Sequence, residues 1–191
     1  MAEEKKKLES TFVNMVLVLT AISLTSALAL GFTYTQTKPI ADEVRARKLA
    51  EAIEAVVPEF DELGDSFKVE GFDRLELYHA KKGGEIVGTA VKSVSDKGFS
   101  GDVWVMVGFD AQGNVYNTEI LEHRETPGLG TKMAMPSFKD QVKGKNPSQF
   151  KVAVVKDGGE VDAITAATIS SRAFCDAVQV AYEAMKKGGT K

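Results

Sequence analysis

A run near the C-terminus, Asp162-Ala-Ile-Thr165-Ala-Ala-Thr168-Ile-Ser170-Ser171, gathers five hydroxyl or carboxylate side chains around a small-residue turn. Beyond it the chain alternates with helical period. Ile169, Ala173, Ala177, Val180 and Ala184 share one face, and Arg172, Asp176, Gln179, Glu183 and Lys187 share the other. Thr168 therefore sits near a helix N-terminus, where unpaired backbone N–H groups and the positive end of the helix dipole make a site for a phosphate. Ala166 and Ala167 leave room for such a ligand. The plainer alternative is that Thr165 or Thr168 simply caps the helix. One cap needs one side chain, and this segment offers several.

A second segment, His123-Arg-Glu125-Thr126-Pro127-Gly128-Leu129-Gly130-Thr131-Lys132, places a Pro-Gly turn at the end of a strand-like stretch. Pro127-Gly128 and Gly130 make a tight turn free of bulky side chains, so backbone amides can approach a planar ring and Leu129 can lie against it. Glu122 and Glu125 resemble a hydrolase pair of carboxylates, but the turn around them suits a solvated edge or a loop contact better. For His123, hydrogen bonding at a strand end is favoured over a cofactor role.

The two segments together resemble the FMN-binding domain of the G subunit of Rnf-type electron-transport complexes, which is related to the C subunit of the sodium-pumping NADH:quinone reductase. Asp-x-Ile-Thr-Ala-Ala-Thr-x-Ser-Ser is similar to that family's flavinylation motif, and Glu-Thr-Pro-Gly-Leu-Gly to its ring-side loop. The resemblance implies covalent FMN, joined to Thr168 through a phosphoester that a separate flavin transferase makes from FAD. It implies Thr165, Ala166 and Ala167 around the phosphate. Glu125, Thr126, Gly128, Leu129, Gly130, Thr131 and Lys132 then lie near the ring. Lys132 either favours the anionic reduced flavin or is an ordinary solvated lysine. Ala166 stands where the family usually has Gly, and its methyl would crowd a turn that needs φ > 0.

The resemblance further implies an electron-transfer subunit of a ferredoxin:NAD⁺ oxidoreductase complex coupled to Na⁺ or H⁺ translocation. Other membrane subunits of that complex would be its partners. Two alternatives stay open: the FMN-carrying subunit of a related respiratory reductase, and a membrane-anchored assembly module that never receives flavin.

Composition narrows the classes. Net charge is −3, and no basic stripe with interleaved aromatics is present, so nucleic acid is not an expected partner. The single cysteine, Cys175, excludes an internal disulfide and reads as a small buried side chain. His79 and His123 are the only histidines and have no ligand cluster around them, so no metal is expected. No complete GxGxxG or Walker sequence occurs.

From Ser10 to Thr37 no residue is charged, a length that exceeds the roughly 20 apolar residues a bilayer requires. A signal peptide is the rival reading, with Lys5-Lys6-Lys7 ahead of the run and Ala27-Leu28-Ala29 as a small-residue site. An anchor is preferred because the run continues through Leu30, Gly31, Phe32 and Tyr34. Lys38, Arg45, Arg47 and Lys48 nearly balance the lysines before the run, so charge does not orient the span. The resemblance implies a bacterial cytoplasmic membrane, a short cytoplasmic N-terminus and a flavin domain on the outer face.

The expected organisation is an N-terminal tail (1–10), one transmembrane helix (11–37), an amphipathic stalk and linker (38–74) and an FMN-binding domain (75–191). Pro39 suits the first turn of the stalk helix, which continues or follows the membrane helix and runs to Pro58, and 59–74 reads as loop. Strand patterns fall at Leu75–His79, Glu85–Ser95, Val103–Asp110 and Val115–His123, joined by turn signals, so an antiparallel meander is expected. Ser137–Lys143 reads as a short helix, Phe150–Val155 as another strand, and the last helix closes at Lys186-Lys187-Gly188-Gly189. The fold class is α+β: an antiparallel sheet with packed helices, preceded by a single transmembrane helix.

Overall fold

The structure is a computed structural model that describes residues 11–188. The N-terminal tail with Lys5-Lys6-Lys7, and Gly189, lie outside the described residues. The chain divides into two compact units, the first ending at Arg47 and the second beginning at Lys48.

Helix α1 (Phe12–Val56) is long and apolar enough over its first part to cross a membrane, and the apolar side chains there, including Leu17, Ile22, Leu28 and Phe32, are exposed. Of the two arrangements the sequence leaves for the stalk helix, continuing the membrane helix or following it, the first is present: α1 runs through Pro39, giving up the one hydrogen bond that proline cannot donate.

In the second unit, β1 (Glu62–Leu63), β2 (Glu76–Lys82), β3 (Glu85–Ser95), β4 (Val103–Asp110) and β5 (Val115–Glu122) form an antiparallel sheet in the order β1-β2-β3-β4-β5. The expected meander and the overall α+β class are present. The segment 59–74 is more ordered than its glycines suggest: β1 pairs with the end of β2, and Phe67 bridges to Leu77. Gly83 and Gly84 both take positive φ, 60° and 88°, which is the backbone of a tight hairpin between β2 and β3.

Side chains alternate across the sheet, and each face is covered. On one face Leu77, Val91, Val105, Val107, Phe109 and Val115 pack with Phe174, Ala177, Val178 and Ala181 of α3 (Thr168–Gly188). Ser93 donates from its hydroxyl to the carbonyl of Ala177 at 2.8 Å, fixing β3 against that helix. On the other face Tyr78, Ala80, Ala90 and Met106 take the end of α1, through Ala52, Ile53 and Val56. Gly108 makes that second contact possible, because a Cβ there would lie 1.6 Å from the carbonyl oxygen of Val56.

After β5 the chain forms a 3₁₀ turn (Gly130–Ala134), the short helix α2 (Pro136–Lys139) and a second 3₁₀ turn (Asp140–Val142). Phe138 of α2 meets Phe174 edge to face, centroids 5.2 Å apart. The strand expected over Phe150–Val155 does not form. Lys151 turns its carbonyl to both Ala153 and Glu160, and only an isolated bridge between Val154 and Val161 remains. The buried face of α3 also differs from the expected one: Ile169 is exposed and Val180 half-buried, while Ser170, Ser171, Phe174, Cys175 and Val178 are buried. Cys175 is 3% exposed, and burial pushes its thiol up to about 12.

Candidate functional site

The turn before α3 is closed by its own backbone. Ala167 N–H donates to the carbonyl of Ile164 at 3.0 Å, and Ala166 at the third position has φ = 62°. That is the sign pattern of a type II turn, whose third residue is ordinarily Gly or Asn. Among the described residues Ala166 is the one non-glycine with positive φ. Buried Ser171 clasps the turn. Its hydroxyl accepts the N–H of Ile164 and donates to the carbonyl of Ala167, both at 3.0 Å, and its own N–H meets the same carbonyl.

This geometry makes Ala167 the capping position and Thr168 the first helical residue. Neither Thr165 nor Thr168 therefore acts as the ordinary cap that the sequence leaves open. Thr168 is half-buried, and among the described residues its hydroxyl has no partner and no acceptor meets the N–H groups of Thr168, Ile169 or Ser170. Ser170 is occupied structurally, donating to Glu125, and the backbone of Asp162 pairs with the Gln141 amide in both directions while its carboxylate stays exposed. Besides exposed Asp162 and Thr165, what remains of the five polar residues is the Thr168 hydroxyl beside free amides.

The loop after β5 is a second turn of the same kind. Leu129 N–H reaches the carbonyl of Thr126 at 3.2 Å across Pro127 and Gly128, and Gly128 has φ = 76°. Thr131 accepts the Gly128 N–H on its hydroxyl at 2.9 Å, and the N–H of Lys132 bonds to the carbonyl of Leu129. Buried Met133 anchors the 3₁₀ turn that follows. His123 accepts the Glu125 N–H on Nδ1 at 3.2 Å, the strand-end bonding expected of it.

The two turns meet through Glu125, whose carboxylate accepts the Ser170 hydroxyl at 2.5 Å. Gly130 lies against the same pair: a Cβ there would sit 2.5 Å from Ser170 Oγ. The structure thus brings Glu125 and Gly130 against the first turn of α3, while Thr126, Gly128, Leu129 and Lys132 are exposed. Sequence reasoning missed the third participant, the β3–β4 connection, whose Ser100 N–H donates to Glu125 at 3.1 Å and whose Gly98 passes the same carboxylate. The one available signal was Gly98 itself, which reads locally as an ordinary turn glycine.

Comparison with known proteins meets this geometry at the same segments. The FMN-binding domain family matches residues 98–183, from Gly98 through both turns and most of α3. The G subunit of the ion-translocating oxidoreductase complex of Shewanella loihica is 34% identical over 80% of this chain and 77% of its own length. The chain belongs to that G-subunit family. Another member, the G subunit of the Na(+)-translocating ferredoxin:NAD(+) oxidoreductase complex of Acetobacterium woodii, is 31% identical over 87% of this chain and 88% of its own. The G subunit of Erwinia tasmaniensis is 40% identical, and there the chain spans about half the length of its relative, 51%. The crystal structure of Shewanella oneidensis NqrC shows a TM-score of 0.46, with 17% identity over 64% of this chain and 66% of that one.

Proposed function

We propose that this G-subunit family member is the membrane-anchored electron-transfer subunit of an Rnf-type complex, a ferredoxin:NAD⁺ oxidoreductase coupled to Na⁺ or H⁺ translocation. FMN is carried on Thr168 through a phosphoester. The observation that carries this reading is the unpartnered Thr168 hydroxyl on the first helical residue, beside three free amides and behind a strained alanine turn. Backbone strain held in a non-glycine residue gathers at functional sites, and free amides at a helix start suit an anionic phosphodiester.

Ala166 and Ala167 keep side-chain bulk away from the phosphate, and the N–H groups of Thr168, Ile169 and Ser170 are the donors toward it. In attachment, Thr168 Oγ would be the nucleophile toward the flavin-side phosphorus of FAD, forming the new O–P bond as the pyrophosphate P–O bond breaks, with AMP as the leaving group and the hydroxyl proton passing to solvent. FMN, once bound, supplies one- and two-electron redox chemistry that protein side chains lack. The Pro127-Gly128 turn presents Leu129, 39% exposed, and Lys132 toward the ring. A tether keeps the cofactor on a domain that, on the outer face, has no FMN pool to draw on. The span at 11–37 confines it to the membrane surface near its partner subunits.

Ala166 adopts the conformation for which glycine is usual, which supports flavin attachment over an unflavinylated assembly module. Similarity to the G subunit of a complex named as a ferredoxin:NAD(+) oxidoreductase favours the Rnf type over a respiratory reductase. Co-expression with a flavin transferase, followed by a denaturing gel, tests attachment. A fluorescent wild-type band, a dark Thr168→Ala band and a fluorescent Thr168→Ser band are expected. A dark wild-type band beside a functioning transferase would overturn the assignment.

A further inference from the structure

Glu125 is 4% exposed and is, among the described residues, the only acidic side chain in the buried interior. Withdrawing a carboxylate from water is costly unless its oxygens are met by donors. Both are met, and by segments distant in the chain. Oε2 takes the Ser170 hydroxyl at 2.5 Å and Oε1 the Ser100 N–H at 3.1 Å. Two glycines clear the space around it: a Cβ at Gly98 would lie 2.8 Å from Oε1, and one at Gly130 would lie 2.7 Å from Oε2. The carboxylate is therefore the point where the β3–β4 connection, the Pro-Gly loop and the first turn of α3 are fastened together. Ser170 lies two residues beyond Thr168 in that turn.

We propose that Glu125 is a positioning residue for flavin attachment, acting through Ser170 and making no contact with the flavin. It holds the Thr168 hydroxyl and the loop that receives the ring in one frame before the cofactor arrives, which rests on the reading that Thr168 is the acceptor. Without the carboxylate the turn and the loop move independently, and the advantage of a preset orientation is lost. Gln at 125 keeps the shape and one accepting oxygen but turns an amide donor toward the other N–H or O–H.

The test uses the full-length chain with flavin transferase and FAD, following the initial rate of in-gel flavin fluorescence. Glu125→Ala and Ser170→Ala each slow attachment by about tenfold or more, as loss of a hydrogen bond to a charged group implies, and Glu125→Gln falls between. The double variant is about as slow as the slower single, because the two side chains act as one unit. In the flavin-free protein, amide hydrogen exchange at Ala167 and Ser171, whose N–H groups are bonded within this turn, quickens in Glu125→Ala. Val91→Ala, a buried change on β3 that lowers melting temperature by cavity formation, labels at the wild-type rate. The proposal is overturned if Glu125→Ala labels normally with unchanged exchange, if Val91→Ala slows as much, or if the single effects multiply. Failure of the underlying reading looks different: wild type stays dark, or Thr168→Ala labels, and the proposal falls with it.

Discussion

Ala166 carries the cost of the site's geometry in a single dihedral. A left-handed conformation disfavours an L-residue with a Cβ by about 1–2 kcal/mol, and the closed turn at Ile164–Ala167 imposes it at φ = 62°. Ala166→Gly relieves that strain at the expense of added freedom in the unfolded chain, so a net stabilisation of about 1 kcal/mol is expected, read as a higher midpoint in urea. A lower midpoint would mean that the alanine methyl makes contacts worth more than the strain. The positive φ is legible in the sequence only as a conditional, from the family's glycine; the partners of Ser170 and Ser171 are not legible at all. They are fixed by Glu125 and Ile164, and no local pattern specifies contacts across such separations.

His79 supplies the pH dependence at this scale. Burial, with the charge of Lys81 adding to it, holds its imidazole below the ordinary value of 6.5. Its Nδ1 lies 3.1 Å from the Thr89 hydroxyl, and Phe67 packs on the ring at a centroid distance of 4.6 Å. As pH falls through 6.5 the unfolded chain takes up a proton that the folded chain resists, so stability is lost toward acid and is fully present above that value. Urea midpoints between about pH 8 and pH 5 are expected to fall more steeply for wild type than for His79→Gln. Parallel curves would contradict the assignment.

Among the elements, the strands are legible because alternation and turn chemistry agree: β3 and β4 occupy the ranges that the pattern marks. The stretch around Phe150–Val155 has strand-like composition but pairs only at the single bridge from Val154 to Val161, and a β-pattern with so little pairing does not make a strand. The face of α3 is misplaced because alanine and serine read alike to a periodicity argument, whereas packing buries Ser170 and Ser171 and leaves Ile169 out. Gly108 is invisible in the sequence as a structural necessity. A Cβ there collides with the end of α1, and Gly108→Ala forces that end off the sheet; a loss of about 3 kcal/mol is expected from overpacking, measured by chemical denaturation of the second unit. A change below the error of that measurement would show that Val56 moves aside freely.

At the scale of the molecule, the chain consists of a long apolar helix and a domain with its own cores, divided at Arg47 and Lys48. The long apolar helix and the α+β domain are both legible, the first from the uncharged stretch and the second from the strand pattern and the two motifs. The packing of the helix end is not, since α1 carries Ala52, Ile53 and Val56 into the core of the second unit. A fragment beginning at Lys48 therefore keeps the core intact and is expected to fold as a soluble domain. One beginning at Leu75 removes Ile53 and Val56 from the sheet and is expected to aggregate; equal solubility of the two would refute the role given to the end of α1.

Everything proposed for the flavin rests on one oxygen atom, Thr168 Oγ, and peptide mass spectrometry of the transferase-treated protein reads that atom without intermediaries. A single peptide heavier by one FMN less one water is expected, with fragmentation placing the adduct on Thr168. An adduct on Thr165 or Ser170, or an unmodified peptide from a preparation in which the transferase is active on another substrate, would rule the attachment out.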